Sequence, residues 1–156
     1  MGGTPQFALI AIAAPPKTPV KQMDALYAGF LQACRRYGVQ LLGGDTSASP
    51  RDLFLSVTVT GMAPGGRILT RDRARVGDGI YITGTIGDSR AGLQLLQSSS
   101  RRRAAGGAGR KHARFLIRRH VRPSARVREG EFFIRNRLAT AAIDLSDGLS
   151  GDLRHL

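Results

Sequence analysis

Between Phe7 and Leu42 an apolar segment, an amphipathic segment and a second apolar segment follow one another. That order restricts the architecture more than any other feature of the chain. Phe7-Ala8-Leu9-Ile10-Ala11-Ile12-Ala13 reads as a strand, stopped by Pro15 and Pro16. Thr18 suits a helix N-cap and Pro19 the first helical position. Val20, Met23, Leu26, Tyr27, Phe30, Leu31 and Cys34 then recur at three- and four-residue spacing, the pattern of one apolar helical face. Gly38 is placed to end that helix, and Val39 to Leu42 forms a short buried strand.

The rest of the chain extends the alternation. Asp52 to Ala63 alternates apolar and polar residues and reads as a longer strand, closed by the turn Ala63-Pro64-Gly65-Gly66. Ile68–Arg71 and Gly79–Gly84 are expected to be short strands, and Ser89–Gln97 a helix. Ser98–Gly109 carries no apolar period and reads as a mobile loop. Phe115–Val121 and Arg126–Leu138 read as helices, Ala141–Ile143 as a buried strand, and a last helix starts at Leu149. Strands alternating with helices predict an α/β (α+β) fold with a mixed sheet and flanking helices. The expected division is residues 1–97 as most of one α/β domain, 98–110 as a basic flexible loop, and 111–156 as the start of a second domain.

Composition narrows the function classes. With 156 residues, 42% of them hydrophobic, the chain can bury a core. The longest apolar run, Phe7 to Ala14, is too short to span a bilayer, and no charged segment of the secretory kind precedes it. A cytoplasmic setting is expected. A single cysteine, Cys34, excludes an internal disulfide and reads as a small buried hydrophobe. The net charge is +13, and the arginines crowd between Ser98 and Arg137, opposed there only by Glu129 and Glu131. Such a field attracts polyanions. No aromatic residue interleaves the arginines before Phe115 and no nucleic-acid signature accompanies them, so a solvated loop and helix face is the expectation.

Two acidic motifs carry the chemistry. Gly43-Gly44-Asp45-Thr46 follows the second strand, and Asp144-Leu145-Ser146-Asp147-Gly148-Leu149 follows the apolar run 141–143. Carboxylates at the carboxyl ends of strands lie where α/β proteins place ligands. Asp45, Asp144 and Asp147 supply the oxygen donors that Mg²⁺ takes alongside substrate phosphates. The alternative for Asp45 is a tight turn in which it caps its own backbone, and for Ser146 or Asp147 a cap on the last helix. Asp144, ending a buried strand, needs a cation partner there. Arg71 is placed either to fork onto phosphate oxygens or to pair with Asp72 or Asp78. There is no glycine-rich phosphate cradle, so a nucleotide must be held through metal and arginine. His112, His120 and His155 lack metal-ligand spacing, and no Ser or Cys nucleophile has a His partner evident in sequence.

These motifs, in this order, resemble the bacterial thiamine-monophosphate kinases, of the superfamily that includes aminoimidazole ribonucleotide synthetase and selenophosphate synthetase. The resemblance runs through Met1-Gly2-Gly3-Thr4-Pro5, Leu41–Thr46, Gly66–Arg71, Gly77-Asp78, Tyr81–Ser89, Arg119–Ser124 and Ile143–Leu149. It implies a partial two-domain aminoimidazole ribonucleotide synthetase-like fold. It also implies transfer of the γ-phosphoryl group of ATP directly to thiamine monophosphate, with Mg²⁺ neutralising the phosphates. Mapped by motif, Asp45, Asp144 and Asp147 would ligate Mg²⁺, while Gly44, Arg71, Ser146 and Tyr27 would contact ATP; no catalytic residue is implied apart from the metal site. A homodimer is implied for full-length members, with no membrane and no nucleic acid as partner. The family's upstream acidic segments and downstream substrate-binding residues are not matched. The chain is therefore expected to be an internal piece with weak or absent turnover of its own. Competing expectations are another ATP-dependent synthetase of the superfamily and a non-enzymatic binder of polyanions.

Overall fold

The computed structural model describes residues 1–98 and 107–156. The chain divides into two compact units: Gly2–Ile68 with Gly130–Asn136, and Leu69–Glu129 with Arg137–Leu156 and Met1. The first is a sheet unit and the second a helical one.

In the sheet unit, β1 (Thr4–Ala14) leads through helix α1 (Val20–Tyr37) to β2 (Gln40–Ala48), and β3 (Phe54–Met62) follows. The sheet order is β2-β1-β3, with β2 parallel and β3 antiparallel to β1. The mixed sheet with helices agrees with the fold class read from the alternation. β1 is central, and alternate residues Ala8, Ile10 and Ile12 are buried while Phe7 and Leu9 on the other face are exposed. Cys34 is buried on α1, as its position on the apolar face implies. Gly38 ends α1 in the left-handed conformation (φ 67°), and the Val39 N–H returns to Cys34 O at 2.9 Å. The helix begins one residue later than expected: Pro19, not Thr18, is the N-cap, and the Thr18 N–H is taken by Pro15 O at 2.9 Å. Helix α4 (Val127–Arg135) counts with this unit from Gly130 onward, where the Thr4 hydroxyl donates to Glu131 Oε1.

β2 is longer than the expected Val39–Leu42, and it takes the glycines and Asp45 into the ladder. Ala8 pairs with Leu41 but Leu9 pairs with Gly43, leaving Leu42 as an extra residue. Such a bulge exchanges the faces of everything after it. Asp45 therefore stands opposite Ala11 on the exposed face; in unbroken register it would stand opposite the buried Ile12. Gly44 is fixed by the same local geometry, because a Cβ there would lie 1.8 Å from Ile10 O.

In the helical unit, α2 (Asp88–Gln97) packs on α3 (Gly107–Val121). The close approach requires the buried Gly92, where a Cβ would lie 2.2 Å from Leu116 O. Arg119 Nε donates to Asp88 Oδ2 at 3.2 Å, and Ser89 Oγ lies 3.0 Å from His120 Nδ1, so two side-chain pairs tie the start of α2 to α3. Helix α3 begins earlier than the expected Phe115, and residues 107–110, expected in the loop, form its first turn. The remainder of the expected mobile loop, residues 99–106, lies outside the described residues.

Three expected strands are absent from the described residues. The Leu69 N–H meets Met1 O at 2.8 Å and the chain then turns through Arg71–Arg73, so 68–71 is no strand. Residues 79–84 and 141–143 are likewise unassigned; a single bond, Ala142 N–H to Thr70 O at 3.3 Å, is all that 141–143 makes toward a ladder. Apolar content favours a strand only where a partner completes its hydrogen bonds. Helix α4 stops at Arg135, short of the expected Leu138, before Arg137 takes a positive φ of 54°. The last helix, α5 (Leu149–Asp152), starts where expected.

Candidate functional site

In the sheet unit the site residues are Tyr27, Gly44 and Asp45. Tyr27 is half-buried on α1. Asp45 lies within β2, not past its end, and it is exposed, as is every residue of the strand from Leu42 onward. The tight-turn alternative for Asp45 does not hold, since its backbone belongs to the ladder.

In the helical unit, Asp144, Ser146 and Asp147 lie on one loop and all are exposed. The expected argument from burial fails for Asp144: Ala141–Ile143 is only half-buried, so no buried charge demands a cation there. Neither Ser146 nor Asp147 caps α5. The N-cap is Gly148, without a side-chain cap bond, and the loop's amides are satisfied by a residue further on. Asp152 folds back, and its Oδ2 accepts from the N–H groups of Ser146 at 2.9 Å, Asp147 at 3.2 Å and Gly148 at 3.2 Å. Sequence reading missed Asp152; the signal was an acidic residue four positions after a glycine N-cap, the reach of a side chain turning back on its own first turn.

Arg71 opens a 3-10 turn and is exposed. Among the described residues it forms no ion pair, so the expected alternative of a salt bridge to Asp72 or Asp78 is not realised. Asp78 is engaged elsewhere, accepting from Thr140 Oγ1 at 2.7 Å and from the Arg75 N–H at 3.0 Å. The Thr140 hydroxyl, then the Arg75 amide, hold its carboxyl below the ordinary carboxylate range.

Among the described residues, the carboxylates of Asp45, Asp144 and Asp147 take no part in any ion pair or hydrogen bond, despite the net charge of +13. Among the described residues, within neither unit do three His, Cys, Asp or Glu side chains gather to cage a metal. Free carboxylates without a cage fit Mg²⁺, which keeps waters and phosphate oxygens in its shell and takes only one or two protein carboxylates. They do not fit a structural Zn²⁺ centre, which requires a closed set of N and S ligands.

Residues 1–63 match the family described as AIR synthase related protein, N-terminal domain. The thiamine-monophosphate kinase of Escherichia coli (strain K12) is 40% identical over 156 residues, all of this chain and 45% of that protein. The chain is similar in sequence to the thiamine-monophosphate kinases. It spans a little under half the length of the curated relatives it matches. Two solved structures agree. "AaThiL complexed with AMPPCP and TMP" superposes with a TM-score of 0.83 at 35% identity, covering 99% of this chain and 46% of that one. The thiamine-monophosphate kinase from Stenotrophomonas maltophilia K279a has the same score and identity, covering 99% and 47%.

Proposed function

We propose that the chain carries the Mg²⁺–ATP-handling part of a thiamine-monophosphate kinase, which transfers the γ-phosphoryl group of ATP to thiamine monophosphate. The observation that carries this reading is the likeness, over 99% of the chain, to a kinase structure complexed with AMPPCP and TMP. The three carboxylates that are unpaired among the described residues support it from the chemistry.

Asp45, Asp144 and Asp147 are the residues proposed to hold Mg²⁺. When bound, Mg²⁺ neutralises phosphate charge, which in phosphoryl transfer matters more than covalent participation by the protein. Arg71, exposed and in no ion pair among the described residues, is proposed to present its guanidinium fork to phosphate oxygens. Gly44, Ser146 and Tyr27 are proposed nucleotide contacts. The loop's backbone contributes little to the anion, since Asp152 already occupies the amides of Ser146, Asp147 and Gly148. A cytoplasmic homodimer as the form of the whole enzyme belongs to the same reading.

The test is to supply ATP labelled at its γ-phosphate, Mg²⁺ and thiamine monophosphate, and to follow the label by chromatography. Labelled thiamine diphosphate, formed slowly and only with Mg²⁺ present, is the expected outcome. Label passing to a different phosphate acceptor and not to thiamine monophosphate would place the chain with another activity of the superfamily.

A further inference from the structure

The deepest acidic group in the helical unit is one to which the proposed function assigns no role. Asp152 is 4% exposed, and it is the sole buried acid among the described residues. Among the described residues its carboxylate forms no ion pair; it is held by three consecutive backbone amides of the loop that carries Ser146 and Asp147. A carboxylate with three N–H donors on one oxygen is well satisfied, and the three donors are equally constrained by it.

This arrangement has a chemical consequence. Three amides converging on one point make an anion nest of the kind that elsewhere binds phosphate. Here the chain fills its own nest, so the loop meets a ligand through its side chains. Ser146 and Asp147 are exposed, and Gly148 between them and α5 adopts φ 113°, a conformation that favours glycine. Without Asp152 the three amides would turn to water and the loop would lose the bonds that fix where its side chains project.

We propose that Asp152 is a positioning residue. Its buried carboxylate locks the backbone of residues 146–148 so that the Ser146 hydroxyl and Asp147 carboxylate are held ready for a hard divalent cation and the phosphates it carries. The inference rests on the metal–nucleotide reading above. It is the relation that orienting groups bear to metal ligands, whose loss typically lowers metal affinity ten- to a hundredfold.

The test uses the full chain with Asp152→Ala and Asp152→Asn, and two readouts. The first is amide hydrogen exchange at Ser146, Asp147 and Gly148; the second is the dissociation constant for Mn²⁺ added alone as a paramagnetic probe. Asp152→Ala is expected to speed exchange at those three amides by at least about tenfold and to weaken Mn²⁺ binding by about tenfold. Asp152→Asn keeps an acceptor oxygen and is expected to recover part of both. If Asp152→Ala does not fold, the Asp152→Asn comparison decides in the same direction with a smaller change. Unchanged exchange in the variants, or faster exchange with unchanged Mn²⁺ affinity, overturns the positioning role while leaving the metal reading intact. A wild-type chain without affinity for Mn²⁺ overturns the metal reading, and the positioning role with it.

Discussion

Asp45 of β2 stands opposite Ala11 of β1, one position short of the buried Ile12, because Leu42 is an unpaired extra residue in the strand. Deleting Leu42 restores an unbroken register and carries Asp45 to the position opposite Ile12 that the exposed Thr46 now holds. The expected result is destabilisation by about 1 kcal/mol or more, because every residue of β2 after the bulge exchanges faces. Urea denaturation measures it. A deletion variant as stable as the parent would mean that the bulge does not decide where Asp45 points.

Gly92 should not tolerate a methyl group. Alanine is the better helix former by up to about 1 kcal/mol, so propensity alone predicts stabilisation. A Cβ at 2.2 Å from Leu116 O forces α2 and α3 apart, and overpacking of this kind costs about 1–3 kcal/mol. Gly92→Ala is therefore expected to lower stability by about 1–2 kcal/mol. A rise in the denaturation midpoint would show that the two helices have room to spare.

Asp78 sets an acid-side dependence. Thr140 and the Arg75 amide bond its ionised form, so its folded pKa lies below the unfolded value of about 3.9. The contribution is present above that unfolded value and is lost as the pH falls through the folded one. Thr140→Val removes the larger cause, and NMR titration should then place the Asp78 carboxyl nearer to 3.9. An unchanged titration in that variant would show that Thr140 does not hold the charge.

The parts of the fold that were legible in sequence are those decided locally. The three- and four-residue spacing of Met23, Leu26, Phe30 and Cys34, with Gly38 behind it, located α1 within two residues. Alternation located β3, and the apolar run located β1. Tertiary pairing was not legible. The segments 79–84 and 141–143 have strand composition but no complete ladder, and propensity says nothing about whether a partner is at hand. The Leu42 bulge is invisible for a similar reason: register is a property of two strands, and here it moves Asp45 from one face to the other. Ser89 and His120 meet across 31 positions through the packing of α2 on α3, which no spacing rule anticipates. At the candidate site the residue types Asp45, Asp144, Asp147 and Arg71 stood out, yet the group holding the second motif, Asp152, looked like an ordinary helical acid.

The most direct test of the account is calorimetric titration of the full chain with ATP, with and without Mg²⁺, repeated for Asp45→Asn and Asp147→Asn. Both side chains are exposed and, among the described residues, unpaired, so neither substitution should move the thermal midpoint appreciably. Binding that requires Mg²⁺ and is at least about tenfold weaker in each variant is the predicted result, the loss of one direct ligand costing no less than an orienting group does. ATP binding that is the same without Mg²⁺, or the same in both variants, would contradict it.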